Sequence, residues 1–260
     1  MPPTASATYS DVDRSPDPAE AAAWMDRLAS WPVVRAYKGH MDDLLRAAGD
    51  GHLLDVGCGL GNDVRALGAR AVGIDPSHTM LGLAAARGGS FVAGTVEQLP
   101  FASATFAGVR ADRVLQHLAD PDRAAADLVR IVRPGGVVVV ADPDQATLRI
   151  EGPDPALTEI VRRFRAEQAI RNGFLAGRMV DVLAAAGCDD VDRRSWTMDI
   201  ADPADAFGLP TWGHHLHRLG LLGEVEAQHW ATSVTAAHAH HQFRYRVDVV
   251  VTWGTRFSRQ

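Results

Sequence analysis

Lysine is almost absent from this chain. Of its 26 basic side chains 25 are arginine, and Lys38 stands alone. With abundant Ala and Gly, that bias fits a GC-rich bacterial genome and carries no mechanism. Lys38 itself is either a functional position or a survivor of the same drift. Cysteine is scarce too: Cys58 and Cys188 lie far apart, which excludes a disulfide framework and a cysteine-rich zinc site. No stretch comes near the ~18 uninterrupted apolar residues of a membrane span. The start, Met1-Pro2-Pro3-Thr4, lacks the basic-then-apolar order of a secretion signal. The expectation is a cytoplasmic protein without a membrane partner. A basic excess is missing as well, since 32 acidic residues against 26 basic ones give a net charge of −6, which disfavours a nucleic-acid partner. What remains is ordinary for a soluble globular chain: 47% hydrophobic and 22% charged over 260 residues, enough for one sizeable core or a core with a small cap.

The informative stretch is Leu53-Leu54-Asp55-Val56-Gly57-Cys58-Gly59-Leu60-Gly61. Its apolar lead predicts a buried strand, three alternating glycines predict a sharp turn, and Asn62 and Asp63 offer oxygens to cap a helix through Val64 and Leu67. A strand, a glycine turn and a helix N-terminus together suit a nucleotide-like ligand lying close to the backbone. The spacing is G-x-G-x-G, however, and Asp55 sits two residues before the first glycine. A carboxylate there repels a pyrophosphate and attracts an ammonium or sulfonium. Twenty residues on, Val72-Gly73-Ile74-Asp75-Pro76 predicts a second strand ending in an acid placed to take both ribose hydroxyls. Adenosine with a cationic tail describes S-adenosylmethionine.

These residues resemble the class I S-adenosylmethionine-dependent methyltransferases. Leu54 to Gly61 is similar to that family's glycine loop and Asp75 to its ribose-binding acid. Gly94-Thr95-Val96-Glu97-Gln98-Leu99-Pro100-Phe101 resembles its third motif, with Thr95 where the family usually has Asp. Val114-Leu115-Gln116-His117-Leu118 and Arg133-Pro134-Gly135-Gly136 resemble the segments that flank the fourth strand and precede the fifth. The likeness is strongest over residues 53–142 and looser elsewhere, towards bacterial small-molecule methyltransferases. It implies an α/β, Rossmann-like, doubly wound sheet of seven strands with the last antiparallel, plus helical lid elements.

In chain order, residues 1–16 predict a polar tail and 1–50 as a whole an N-terminal helical lid. In that lid Trp24, Trp31 and Tyr37 either pack on the core or touch substrate. Residues 51–260 predict the core. Its strands are expected near 52–56, 71–75, 90–93, 106–111, 136–141, 189–199 and 244–253, and its helices near 62–69, 77–87 and 121–132. Two insertions extend it, about 144–172, with a helix through Leu157, Ile160, Val161 and Phe164, and 202–241. The second holds Phe207, Trp212, Trp230 and seven of the eleven histidines. An apolar lid over the sheet's carboxyl edge suggests a small, mostly hydrophobic acceptor.

For the cofactor the resemblance implies Asp55 at the methionine ammonium, Gly57, Gly59 and Gly61 under the tail, and Asp75 with Pro76 at the ribose. It implies Thr95 and Val96 near adenine, and Ala111 at the end of the fourth strand. Met80 lies under the adenine or packs in the core. Thr95 carries no charge, which implies weaker adenine anchoring. His117 is either a general base with an ordinary pKa near ~6.5 or a structural histidine. One of Arg110, Asp112 and Arg113 can orient the acceptor. His214-His215-x-His217 and His238-x-His240-His241 lack a completing acid or thiol and share no helix face well, so no metal is expected. Methyl transfer to a small acceptor, in bacterial secondary metabolism, is the leading expectation. A cyclase or rearrangement enzyme on the same fold and a non-catalytic cofactor-binding protein are the alternatives.

Overall fold

The computed structural model describes Asp13 and residues 17–258, so the polar tail expected over residues 1–16 falls, Asp13 apart, outside them. Two helices come first. In α1 (Pro18–Ala29) the Asp17 carboxylate accepts from the Glu20 N–H at 2.9 Å, and Pro18 occupies the first turn, where its missing N–H costs nothing. Pro32 does the same for α2 (Pro32–Ala47), whose Val34, Tyr37, Met41 and Leu45 recur at helical spacing and are buried.

The chain then alternates strand and helix: β1 (Leu53–Val56), α3 (Asn62–Leu67), β2 (Ala71–Asp75), α4 (His78–Ala86), β3 (Ser90–Ala93), β4 (Phe106–Asp112), α5 (Pro121–Ile131) and β5 (Val132–Glu151). After α6 (Pro155–Phe164) and α7 (Leu175–Ala185) come β6 (Cys188–Ile200), α8 (Trp212–Arg218), α9 (Glu224–Ala239) and β7 (Arg244–Arg256). The seven strands form one sheet in the order β3-β2-β1-β4-β5-β7-β6. β1 to β5 are parallel, and β7 runs antiparallel to both neighbours. This is the Rossmann-like sheet the motifs predict.

Both faces of the central strands are buried, which explains their unbroken apolar runs. Val137 and Val139 join α2 on one face, while Val138 and Val140 join α5 and α7 on the other. Strand order puts the first crossover reversal between β1 and β4, so their carboxyl ends open a crevice.

Two expectations need correction. Asn62 and Asp63 do not cap α3: Gly61, in the left-handed region, takes the cap position with no side-chain bond, and Gly68 ends the helix at Leu67. Asp63 is drawn instead to Lys38. The fifth strand also runs well beyond 141. Pro143, Asp144 and Gln145 look like loop residues, yet Arg149, Ile150 and Glu151 pair with Arg246, Tyr245 and Arg244 beyond an irregularity after Asp144. The 144–172 insertion therefore begins as strand, and its helix starts at Pro155.

Candidate active site

A cavity of about 480 Å3 opens at the carboxyl ends of β1, β2 and β4 and runs under α1 towards β5 and β7. At its sheet end the glycine turn gives it shape. Gly57 has φ +67°, and a Cβ there would run into the Val114 side chain. Gly61 has φ +68°, and a Cβ would meet the Phe91 ring. Asp75 fastens the turn to β2, because its Oδ2 accepts from the Gly59 N–H at 2.8 Å and its Oδ1 from the Ser77 N–H at 2.9 Å. Ser77 in turn caps α4 by accepting from the Met80 N–H.

Beside this turn lies a buried ion network. The Arg110 guanidinium, fully buried on β4, meets Asp42 at 2.9 Å, Asp55 and Asp63 at 3.4 Å, and Asp112 at 3.8 Å. Lys38 reaches Asp63 at 2.5 Å and Asp112 at 3.1 Å. The Tyr37 hydroxyl donates to Asp112 at 3.3 Å. Burial raises the Asp63 pKa, but Arg110 and Lys38 outweigh it and hold the carboxyl at about 2. For Asp55 burial wins over Arg110, and its pKa is pushed up to about 7. Its Oδ2 is buried without a partner. Asp55 is thus the least compensated acid of the group, and it faces the cavity.

The far wall is apolar and aromatic. Trp24 packs edge-on against Trp31 and Phe207, and Phe207 tilts against Tyr245. Phe207 holds φ +53°, a conformation that bulky residues rarely adopt outside functional segments. His117 lies on the same cavity. Burial, with Arg165 and Arg113 adding to it, lowers its pKa to about 4. The Gln116 side-chain amide sits 3.1 Å from His117 Nε2, and the tautomer of the neutral ring sets which nitrogen is left to take a proton.

A family profile described as "Methyltransferase domain" matches residues 54–140. A Streptomyces fradiae protein named "Uncharacterized 37.1 kDa protein in transposon TN4556" is 34% identical over 231 residues, 84% of this chain and 67% of that protein. A ubiquinone biosynthesis O-methyltransferase of Rhizobium rhizogenes is 37% identical over 98 residues, 34% of this chain and 40% of that enzyme. Among solved structures, the YcgJ protein of Bacillus subtilis superposes with a TM-score of 0.59 at 18% identity, covering 85% of this chain and 98% of that one. The chain belongs to the class I S-adenosylmethionine-dependent methyltransferases.

The family's cofactor is S-adenosylmethionine, and this methyltransferase offers two features that suit it. Asp55 keeps a partnerless carboxylate oxygen for a cationic tail, and the glycine turn leaves backbone exposed where side chains would stand. Of the residues the motifs single out, Asp55, Gly57, Gly59, Asp75, Pro76, Met80, Thr95, Val96 and His117 all line the cavity. Gly61 and Ala111 do not. Gly61 sits behind the turn against Phe91, and Ala111 is buried in β4 between Val56 and Val140. Arg110 is locked in the ion network and presents nothing to an acceptor. The seven histidines of residues 202–241 stay off the cavity wall, and among the described residues no group of three or more His, Cys, Asp or Glu could hold a metal.

Sequence reasoning misses Arg165, Gln145 and Tyr245, which also line the cavity. Only a buried arginine in an otherwise amphipathic helix could have flagged the first. Lys38 is different: its isolation in the composition is visible, and its partners are not.

Proposed function

We propose that this methyltransferase moves the methyl group of S-adenosylmethionine to a small, largely apolar metabolite of the kind bacterial secondary metabolism makes. The observation that carries the reading is a single cavity lined both by the glycine turn with Asp55 and Asp75 and by the aromatic wall of Trp24 and Phe207. When bound, the cofactor supplies a methyl already activated on a sulfonium, so the chain's own work is alignment, exclusion of water and, for some acceptors, proton removal.

In this reading Asp55 holds the methionine ammonium, Gly57 and Gly59 give the tail room, and Asp75 takes the ribose hydroxyls. Asp75 already accepts two backbone N–H bonds, and each oxygen keeps a lone pair for a hydroxyl. Pro76, Met80, Thr95 and Val96 border the adenine. Gly61 and Ala111 serve from behind, the first by setting the turn and the second by backing the strand. Residues 1–50 act as a lid on a core of 51–260, since Trp24, Met25 and Leu28 of α1 lie on the cavity wall. The acceptor lies between the 202–241 insertion and His117, which takes its proton.

The test is turnover. The purified chain is incubated with methyl-labelled S-adenosylmethionine and a panel of apolar hydroxyl, amine and carbon acceptors. We expect label in an extractable product and one S-adenosylhomocysteine formed per methyl moved. Tight cofactor binding with no transfer to any acceptor class would leave only a cofactor-binding protein. Altered acceptor without S-adenosylhomocysteine would point to rearrangement.

A further inference from the structure

Lys38 and Arg113 on this cavity, and Arg110 behind its wall, all have acids beside them, and Arg165 does not. Arg110 has four carboxylates within reach and Lys38 has two. Arg165 is only 8% exposed and lines the same cavity, yet among the described residues no carboxylate lies within ion-pairing distance of it. Its guanidinium stacks 4.9 Å from the Trp212 ring centroid and 5.7 Å from that of Phe207. The Tyr245 hydroxyl bonds to it, and its Nε is buried with no partner. A guanidinium cannot shed its proton to escape burial. Left without a counter-charge, it carries a desolvation cost that ring faces and one hydroxyl offset only in part.

Local structure holds it there by design of the chain rather than by accident of a loop. Arg165 begins a widened π-helical turn, Arg165–Ala169, at the end of α6, a distortion found mostly at functional positions. The rings beneath it fix the plane of the fork, and a planar fork with a free edge matches a carboxylate. Gln116 and Gln145, both buried on the cavity, keep amide oxygens without partners, which accept and so suit a donor on the bound molecule and not its carboxylate. The rest of this wall is Ile170, Met198 and Val247, which offer nothing to an ion.

We infer that the acceptor is a carboxylic acid with an apolar skeleton, its carboxylate seated on Arg165 beside Tyr245. The inference rests on the methyl-transfer reading and names the acceptor class within it. A carboxylate on Arg165 also screens the positive charge that His117 feels, so the acceptor improves the base that serves it.

The test uses the full chain loaded with S-adenosylhomocysteine, titrated calorimetrically with 2-naphthoate and, separately, with its neutral isostere 2-naphthamide. The acid should bind at least about tenfold tighter, the size of a hydrogen-bonded charge pair. In Arg165→Gln that preference should fall to near parity while S-adenosylhomocysteine binds as in the wild type. Arg165→Lys, which keeps the charge, should retain a measurable part of it. Equal binding of acid and amide by the wild type, including no binding of either, overturns the inference, as does a preference that survives in Arg165→Gln. Failure of S-adenosylhomocysteine itself to bind the wild type is read before any naphthoate is added, and it overturns the methyl-transfer reading instead.

Discussion

Replacing Arg110 by Met should lower the melting temperature by roughly 10 °C, a loss of about 3–5 kcal/mol of stability. Methionine fills similar space, so the change tests charge rather than volume. It strips Asp55 of its cation, leaves Asp42 with only Arg46 at 3.8 Å, Asp63 with Lys38, and Asp112 with Lys38 and Arg113. Uncompensated buried carboxylates escape by taking up protons, which fixes the sign of the pH dependence. In the wild type Asp63, lowered to about 2, contributes stability above its unfolded value that is lost as pH falls through about 2. Asp55, raised to about 7, acts the other way: what it contributes is present below its unfolded value and is lost as pH rises through about 7. In Arg110→Met every acid of the network shifts towards the Asp55 pattern. The deficit should therefore be largest at pH 8 and shrink towards pH 5. Thermal unfolding at the two pH values reads it directly. A loss under about 1 kcal/mol, or a deficit that grows as pH falls, would show that the network is solvated rather than buried.

His117→Phe should lower kcat by about 10²-fold for a hydroxyl or amine acceptor, the usual contribution of a positioned base, with cofactor affinity unchanged. An ordinary histidine would also give the rate a pH limb near ~6.5. This one should not. Burial, Arg165 and Arg113 hold its pKa near 4, so the ring is neutral and able to accept a proton across pH 6 to 8, and its protonation limb falls at about pH 4. The kcat/KM profile of the wild type, which reports the free enzyme, should then be flat in that range as far as His117 is concerned. A limb near neutrality that vanishes in His117→Phe would mean that the ring is more solvated than the cavity allows. Equal falls in turnover and cofactor affinity would make His117 a cofactor ligand. A carbon acid, or an acceptor already ionised, needs no base and should lose little.

Much of this molecule is legible in its sequence because the signal is local. Val137 to Val140 announce a strand buried on both faces, and a strand followed by alternating glycines and an acid twenty residues on constrains the ligand at once. Where the reading fails, the deciding contact lies far along the chain. Asp63 looks like a helix cap because the residues beside it are all that sequence shows. Its partner Lys38 is 25 residues away on α2, and the ammonium offers it more than an N-terminal N–H. Residues 143–151 carry no strand pattern of their own and are held extended by pairing with β7, a hundred residues on. The pKa of His117 belongs to the same class, since nothing near position 117 foretells that Arg165 will be folded beside it. Charge balance, more than hydrophobic pattern, is what the linear sequence conceals here.

The claim that underlies the rest is that the cavity holds S-adenosylmethionine with its ribose on Asp75. Calorimetric titration of S-adenosylmethionine into the wild type and into Asp75→Ala, both shown folded by their thermal transitions, tests it most directly. We expect one site per chain in the wild type. In the variant we expect a loss of about 1.5–3 kcal/mol, roughly a tenfold to hundredfold weaker complex, from the hydrogen bonds a carboxylate makes to hydroxyls. No binding by the wild type, or an affinity that Asp75→Ala leaves unchanged, would contradict it.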